Sequence, residues 1–149
     1  MKIEANGHQI EVEDTGGTGT PVLLVMGLGG QLIHWPAALV QSLVDAGYRV
    51  IRFDNRDSGL STHFTQHGAP AIPWIALRAW LGAKPRAPYA LADMAADAWG
   101  VLDALGVQRA HIVGLSMGAM IAQRVALAAP QRVISLSSMM GSSGARGLS

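Results

Sequence analysis

No cysteine occurs among the 149 residues. Disulfide frameworks, thiolate zinc centres and cysteine nucleophiles are thereby excluded together, and no thiol remains from which to read a redox compartment. Charge is scarce as well: 14% of the residues are charged, 11 basic against 10 acidic, for a net charge of +1. That balance gives no basic field for a nucleic-acid backbone and no polybasic membrane anchor, so neither partner is expected. Long hydrophobic runs are missing too. The longest, Pro21 to Gly30, falls short of the roughly 20 residues that span a bilayer, so no membrane segment is expected. The opening Met1 to Gly7 is polar and acidic where a secretory signal needs a basic end and an apolar run, and this places the chain in the cytoplasm as an expectation.

What is present is apolar, with 50% hydrophobic residues. A chain of this size buries roughly two-thirds of its unfolded surface, so one core can form without covalent or metal staples, and a single domain over residues 1–149 is expected. Asn6-Gly7 lies between Ile3/Ala5 and Ile10/Val12, which alternate with polar residues, and this is the dipeptide that a two-residue hairpin turn prefers. Val22 to Met26 reads as a strand buried on both faces, and Tyr48 to Phe53 as the next strand. Between them, residues 35–46 read as a helix, with Pro36 near its start and Gly47 after its end. Residues 62–90 are rich in proline and read as a long loop excursion, broken only by a Trp74-Leu77-Trp80-Leu81 stripe at helical spacing.

Leu91, Met94, Ala95, Ala98, Leu102 and Leu105 line one face of a helix that stops at Gly106. His111 to Val113 is a short strand, and Met117 to Ala129 is apolar almost all round, as in a helix buried within a sandwich, with Pro130 ending it. Val133 to Leu136 is the last strand, and residues 141–149 read as a loose tail. The alternation of strands and helices from residue 21 onward predicts a three-layer α/β fold with a mostly parallel sheet, preceded by the β-hairpin.

One segment has a sharp chemical meaning. Gly114-Leu115-Ser116-Met117-Gly118 is G-x-S-x-G between a predicted strand and a predicted helix. A serine at the apex of so tight a turn is forced into a strained backbone conformation, and side chains two residues before and after it would collide; the two glycines remove them. The serine oxygen is then held at the positive end of the following helix. In the plainer alternative the glycines serve only a tight turn and Ser116 caps the helix.

With Met26-Gly27-Leu28-Gly29-Gly30 after the third strand, Asp54 to Ser61 after the fourth, and Tyr89 to Met94 leading into a helix, the chain resembles the N-terminal half of an α/β-hydrolase. It looks similar to the bacterial carboxylesterase and methylesterase-like members, and the resemblance covers nearly the whole chain. It implies that Ser116 is a nucleophile acting on a small carboxylic ester. It also implies that the backbone amides of Leu28 and Met117 form an oxyanion hole, with Gly27, Gly29, Gly114 and Gly118 shaping the two turns. The family often has histidine before the first glycine of the earlier turn, where Met26 stands here. No cofactor is expected.

The carboxylates and hydroxyls of Asp54 to Ser61 around Arg56 read as a self-satisfied hydrogen-bond cluster that braces the neighbouring loop. His63 and His67 are four apart, a metal spacing only on a helix, and no third ligand accompanies them, so no metal site is expected. His34 follows the Gly27–Gly30 turn, near enough in sequence to approach the site, while the resemblance implies a helix-entry residue there; His8 and His111 sit in strands as packing or surface residues.

A serine hydroxyl needs an imidazole to take its proton and a carboxylate to orient that imidazole. The resemblance places both after the elbow, yet no aspartate, glutamate or histidine follows Ser116. A truncated hydrolase is therefore expected. Its last strand becomes a sheet edge, and a homo-oligomer formed through residues 130–149 is expected to cover it. Two alternatives stay open. One is a non-catalytic half-fold that associates through that edge. The other is a dinucleotide-binding module, on Gly27-Leu28-Gly29-Gly30 and Asp54, although position 32 is leucine where the fingerprint needs glycine.

Overall fold

The computed structural model describes residues 1–64 and 89–143. Asn6 and Gly7 take positive φ values of 51° and 77°, which closes the hairpin of β1 (Lys2–Ala5) and β2 (His8–Asp14). β3 (Pro21–Val25), β4 (Arg49–Phe53), β5 (Ala110–Leu115) and β6 (Val133–Met139) complete a six-stranded sheet in the order β1-β2-β4-β3-β5-β6. β2 joins β4 antiparallel, and every pairing from β4 to β6 is parallel. This is the mostly parallel sheet, with the hairpin at one end, that the alternation of elements predicts, and its fold is the one the α/β-hydrolase resemblance implies.

Three α-helices flank the sheet among the described residues: α1 (Ala37–Asp45), α2 (Leu91–Ala104) and α3 (Met117–Ala128). The larger core lies beneath α2 and α3, where Ile10, Leu23, Ile51, Phe53 and Ile112 of the sheet meet Met94, Leu102, Ile121 and Val125. The opposite face is thinner. There Val22, Leu24 and Val50 pack with Trp35 under Val40, Leu43 and Val44 of α1, no residue of which is fully buried. Among the described residues no helix is long and apolar enough to cross a membrane.

Three local expectations change. The helix expected over 35–46 starts after Pro36, because the preceding residues Leu32–His34 form a 3₁₀ turn that drops Trp35 into the core at 3% exposure. α3 is not buried all round: Arg124, Leu127 and Ala128 face outward, since only one side of α3 meets the sheet and α2. β6 runs on to Met139, three residues past its apolar stretch, because β5 pairs with it as far as Leu115↔Met139. The helical stripe at 74–81, His67, most of the 62–90 excursion and residues 144–149 lie outside the described residues.

Candidate active site

β5 ends at Leu115 and α3 begins at Met117, so Ser116 alone makes the turn, with φ 57° and ψ −121°. A side chain in that region costs on the order of 1–3 kcal/mol and persists only where the surroundings enforce it. The enforcement is visible on both sides. A Cβ on Gly114 would run into the Gly118 carbonyl and would lie 2.6 Å from the Ala119 Cα, and one on Gly118 would run into the Val25 carbonyl. The Ser116 amide donates to the Met139 carbonyl at 2.8 Å, tying the turn to the end of β6.

The Gly27 turn lies against this elbow. A Cβ on Gly27 would sit 3.0 Å from the Leu115 carbonyl oxygen and 3.1 Å from the Ser116 Cβ, so a side chain there would press the loop away from the elbow by a few tenths of an ångström. Leu28 follows on an exposed tip, and Gly29 takes φ 68°. Met117 opens α3, where first-turn amides have no partner within the helix. Leu28, Gly29 and Met117 line one cavity of about 500 Å3, whose other walls include Arg56, Asp57, Tyr89 and Met94. The structure thus gathers Gly27, Leu28, Gly29, Gly114, Ser116, Met117 and Gly118 at the C-terminal ends of β3 and β5.

The turn after β4 braces this loop from both ends. Asn55 Nδ2 donates to the Met26 carbonyl at 2.8 Å, and the Asp54 carboxylate accepts from the Leu32 amide at 2.6 Å and the Leu60 amide at 2.9 Å. Ser61 Oγ donates to the Asp54 carbonyl at 2.6 Å. The cluster is not self-satisfied as expected, however. Arg56 reaches past its own turn to α2, where its Nε and Nη2 donate to the two carboxylate oxygens of Asp97 at 2.6 Å each. Arg56 and Asp97 are 5% and 1% exposed. The hydrogen bonds to Asp97 hold the guanidinium above its ordinary, already high pKa. Asp97 was not among the candidates, although the sequence carries a signal for it. It lies three residues after Met94 and one before Ala98, on the apolar face of α2, where an acid needs a buried partner.

Asp57, at φ 61°, accepts from the Phe64 amide and from the Tyr89 hydroxyl, both at 2.6 Å. The Arg56 guanidinium stacks over both rings, 5.3 Å from Phe64 and 4.9 Å from Tyr89. The described histidines are engaged elsewhere. His34 Nδ1 accepts from the Gln31 amide at 3.0 Å, His63 Nε2 lies 3.0 Å from the Gly59 carbonyl, and His8 packs edge-on against Phe64. His111 bonds Ser135 Oγ at 2.7 Å. Among the described residues no group of three or more metal-ligating side chains converges.

A family model described as alpha/beta hydrolase fold matches residues 20–145. The chain belongs to the α/β-hydrolase family. Within that family, rhodomycin D methylesterase DnrP of Streptomyces peucetius is 38% identical over 123 residues, covering 81% of this chain and 35% of that protein. The enol-lactonase of Burkholderia xenovorans LB400 superposes with a TM-score of 0.65 at 28% identity, over 89% of this chain and 44% of that one. Epoxide hydrolase A of Mycobacterium thermoresistibile gives a TM-score of 0.70 at 28% identity, over 91% and 37%. This α/β-hydrolase chain spans about a third of the length of the curated relatives it matches. The helix that a dinucleotide-binding turn would open directly starts only at Ala37 here, beyond a 3₁₀ turn, and the Gly27 loop abuts Ser116 instead.

Proposed function

We propose that this chain carries the nucleophile of a serine hydrolase acting on carboxylic esters. The observation that carries the reading is Ser116, held at φ 57° between β5 and α3 with the Gly27 loop packed against it. In this mechanism Ser116 Oγ attacks the ester carbonyl carbon while its proton passes to a base. The negative charge that develops on the carbonyl oxygen is taken by the amides of Leu28 and Met117, the alcohol leaves with a proton, and water then hydrolyses the acyl-serine. Asn55 and Asp54 act through the loop: by fixing Met26 and Leu32 they hold the Leu28 amide in place before substrate arrives. The relatives' names, methylesterase, lactonase and epoxide hydrolase, share hydrolysis and differ in substrate, so the ester class rests on the serine and its donors.

The base and its orienting acid are supplied from outside these residues in this reading, because no aspartate, glutamate or histidine follows Ser116. An oxyanion hole with binding alone retains roughly 10³–10⁴-fold catalysis over water, a small part of what a triad delivers. Hydrolysis of short activated esters by the 149-residue chain is therefore expected to be slow, to rise with added imidazole above the imidazole background, and to lose that imidazole-dependent gain in Ser116→Ala, which keeps only the oxyanion-hole remainder. An imidazole-dependent gain that survives Ser116→Ala sinks the reading, and robust turnover abolished by His34→Ala would make His34 the base.

A second reading concerns assembly. Among the described residues β6 ends the strand order, and Ile134, Leu136, Met139 and Met140 are 39%, 40%, 38% and 86% exposed, so a sheet edge coincides with apolar side chains. In this reading two copies pair these edges antiparallel across a two-fold axis, through residues about 130 to 149. Sedimentation at micromolar concentration tests it: a dimer that Ile134→Pro disrupts is expected, and a monomer contradicts it.

A further inference from the structure

The Asn6-Gly7 turn that closes the hairpin also places a reactive amide against a buried carboxylate. Asn6 is exposed and is followed by glycine, whose lack of a side chain leaves its backbone nitrogen unshielded; a Cβ at Gly7 would meet nothing within 4 Å. A nitrogen so placed can reach the side-chain carbonyl carbon of the asparagine before it. In the folded chain that side chain is tied down. Asn6 Nδ2 donates to Asp97 Oδ1 at 2.9 Å and to the Asp93 carbonyl at 3.4 Å, and Asp97 is 1% exposed. Asp93, Asp97 and Gly100 follow one another along one face of α2, and the hairpin tip rests on it. A Cβ on Gly100 would lie 2.9 Å from the Ala5 Cβ and 3.1 Å from the Asn6 backbone nitrogen. The Asp97 carboxylate is therefore shared: Oδ1 accepts from both Asn6 Nδ2 and Arg56 Nη2, while Oδ2 accepts from Arg56 Nε.

We propose that Asn6 is a deamidation site, that its bond to Asp97 holds the reaction back in the folded chain, and that conversion releases the hairpin tip from α2. The Gly7 backbone nitrogen attacks the Asn6 Cγ, and its proton passes through solvent to the ammonia that departs as the Cγ–Nδ2 bond breaks. A cyclic succinimide remains. Water then opens it at one carbonyl or the other, giving aspartate or isoaspartate, with no change of oxidation state. Ring closure moves the side-chain amide and expels its nitrogen, so both bonds from Nδ2 to α2 must break first. Local opening of the hairpin tip therefore sets the rate. Either product replaces a donor with a carboxylate facing the Asp93 carbonyl and the Asp97 carboxylate, neither of which can donate to it. Isoaspartate also adds a backbone methylene to the turn that keeps Ala5 opposite His8. Nothing in these steps involves Ser116.

The chain has two asparagines, and Asn55, 2% exposed and followed by arginine, serves as the internal control. The protein is aged at mildly alkaline pH, folded or in urea, and conversion is located by peptide mapping. The folded chain is expected to convert at Asn6 and not at Asn55, at a rate about tenfold to a hundredfold below that of Asn6 in urea. A rate indistinguishable from that in urea, no conversion at Asn6 over that span, or conversion at Asn55 ahead of Asn6 overturns the proposal. The effect of the product is read from Asn6→Asp and Asn6→Gly, both compatible with the positive φ at this position. Asn6→Gly removes only the bonds to α2, whereas Asn6→Asp also adds the charge. Hydrogen-exchange protection across the β1–β2 ladder is expected to drop severalfold in Asn6→Gly and further in Asn6→Asp. Protection in Asn6→Asp that matches or exceeds that in Asn6→Gly contradicts release of the hairpin by the new carboxylate.

Discussion

The turn from Gly114 to Gly118 and the turn from Asp54 to Ser61 both reach the same cavity, and they keep their shapes by different means. The first is held by the absence of side chains: its glycines let three backbone segments close on one another, and the strain falls on Ser116 at φ 57°. The second is held by side chains that bond across it and beyond it, with Asp54 bonded to two amides, Asn55 to the Met26 carbonyl and Arg56 to Asp97, while Asn55 Oδ1 stays buried without a partner. The Ser116 backbone is bonded on both sides while its hydroxyl makes no capping bond to α3, whereas the brace acts by holding its neighbour. A strained turn beside one held by side-chain bonds is the division expected where one element does chemistry and another positions it.

Removing the partner of the buried cation breaks the brace most severely. Asp97→Ala leaves the Arg56 guanidinium buried and unpaired, and a loss of about 3–5 kcal/mol in urea unfolding is expected; a loss below about 1 kcal/mol would mean that the pair is not buried in solution. Next in size is the steric core of the elbow. Gly118→Ala drives a methyl group into the Val25 carbonyl and is expected to cost about 2–3 kcal/mol, with no rescue from a more polar side chain.

A pH measurement sharpens the contrast. Burial, and after it the hydrogen bond to Asp57, push the Tyr89 phenol up to about 12 from 10.0. Folding thus favours the neutral phenol, whose contribution is intact below pH 10 and fades as the pH rises toward 12. Stability is expected to fall over that window, and Tyr89→Phe to lessen the fall; an identical decline in both chains would assign it to other groups. The smallest effect has the opposite sign. Ser116→Gly relieves the left-handed backbone and is expected to raise stability by about 1 kcal/mol, which Ser116→Ala does not.

The same contrast explains what was legible in the sequence. The elbow was readable because its constraint is local, with five consecutive residues carrying both the glycine spacing and the strand and helix that flank it. The hairpin at Asn6-Gly7 and the buried strand at Val22–Met26 were readable for the same reason, since turn chemistry and apolar runs act over a few residues. Arg56 was seen but its partner was not, because Asp97 stands 41 residues away and the pairing exists only once α2 has docked. Trp35 falls within the helix expected over 35–46, and its burial instead follows a 3₁₀ turn over Leu32–His34 that leaves it extended ahead of α1. The true end of β6 was hidden because Ser135, Ser137 and Ser138 interrupt the apolar pattern while the ladder with β5 continues.

The central claim is that Ser116 is the nucleophile, and covalent capture addresses it most directly. The chain is incubated with an alkyl fluorophosphonate, with and without imidazole as a diffusible base, and the adduct is located by intact mass and peptide mapping. The account predicts a single slow adduct on Ser116, accelerated by imidazole and absent from Ser116→Ala. An adduct on another residue, or labelling that persists in Ser116→Ala, would contradict it.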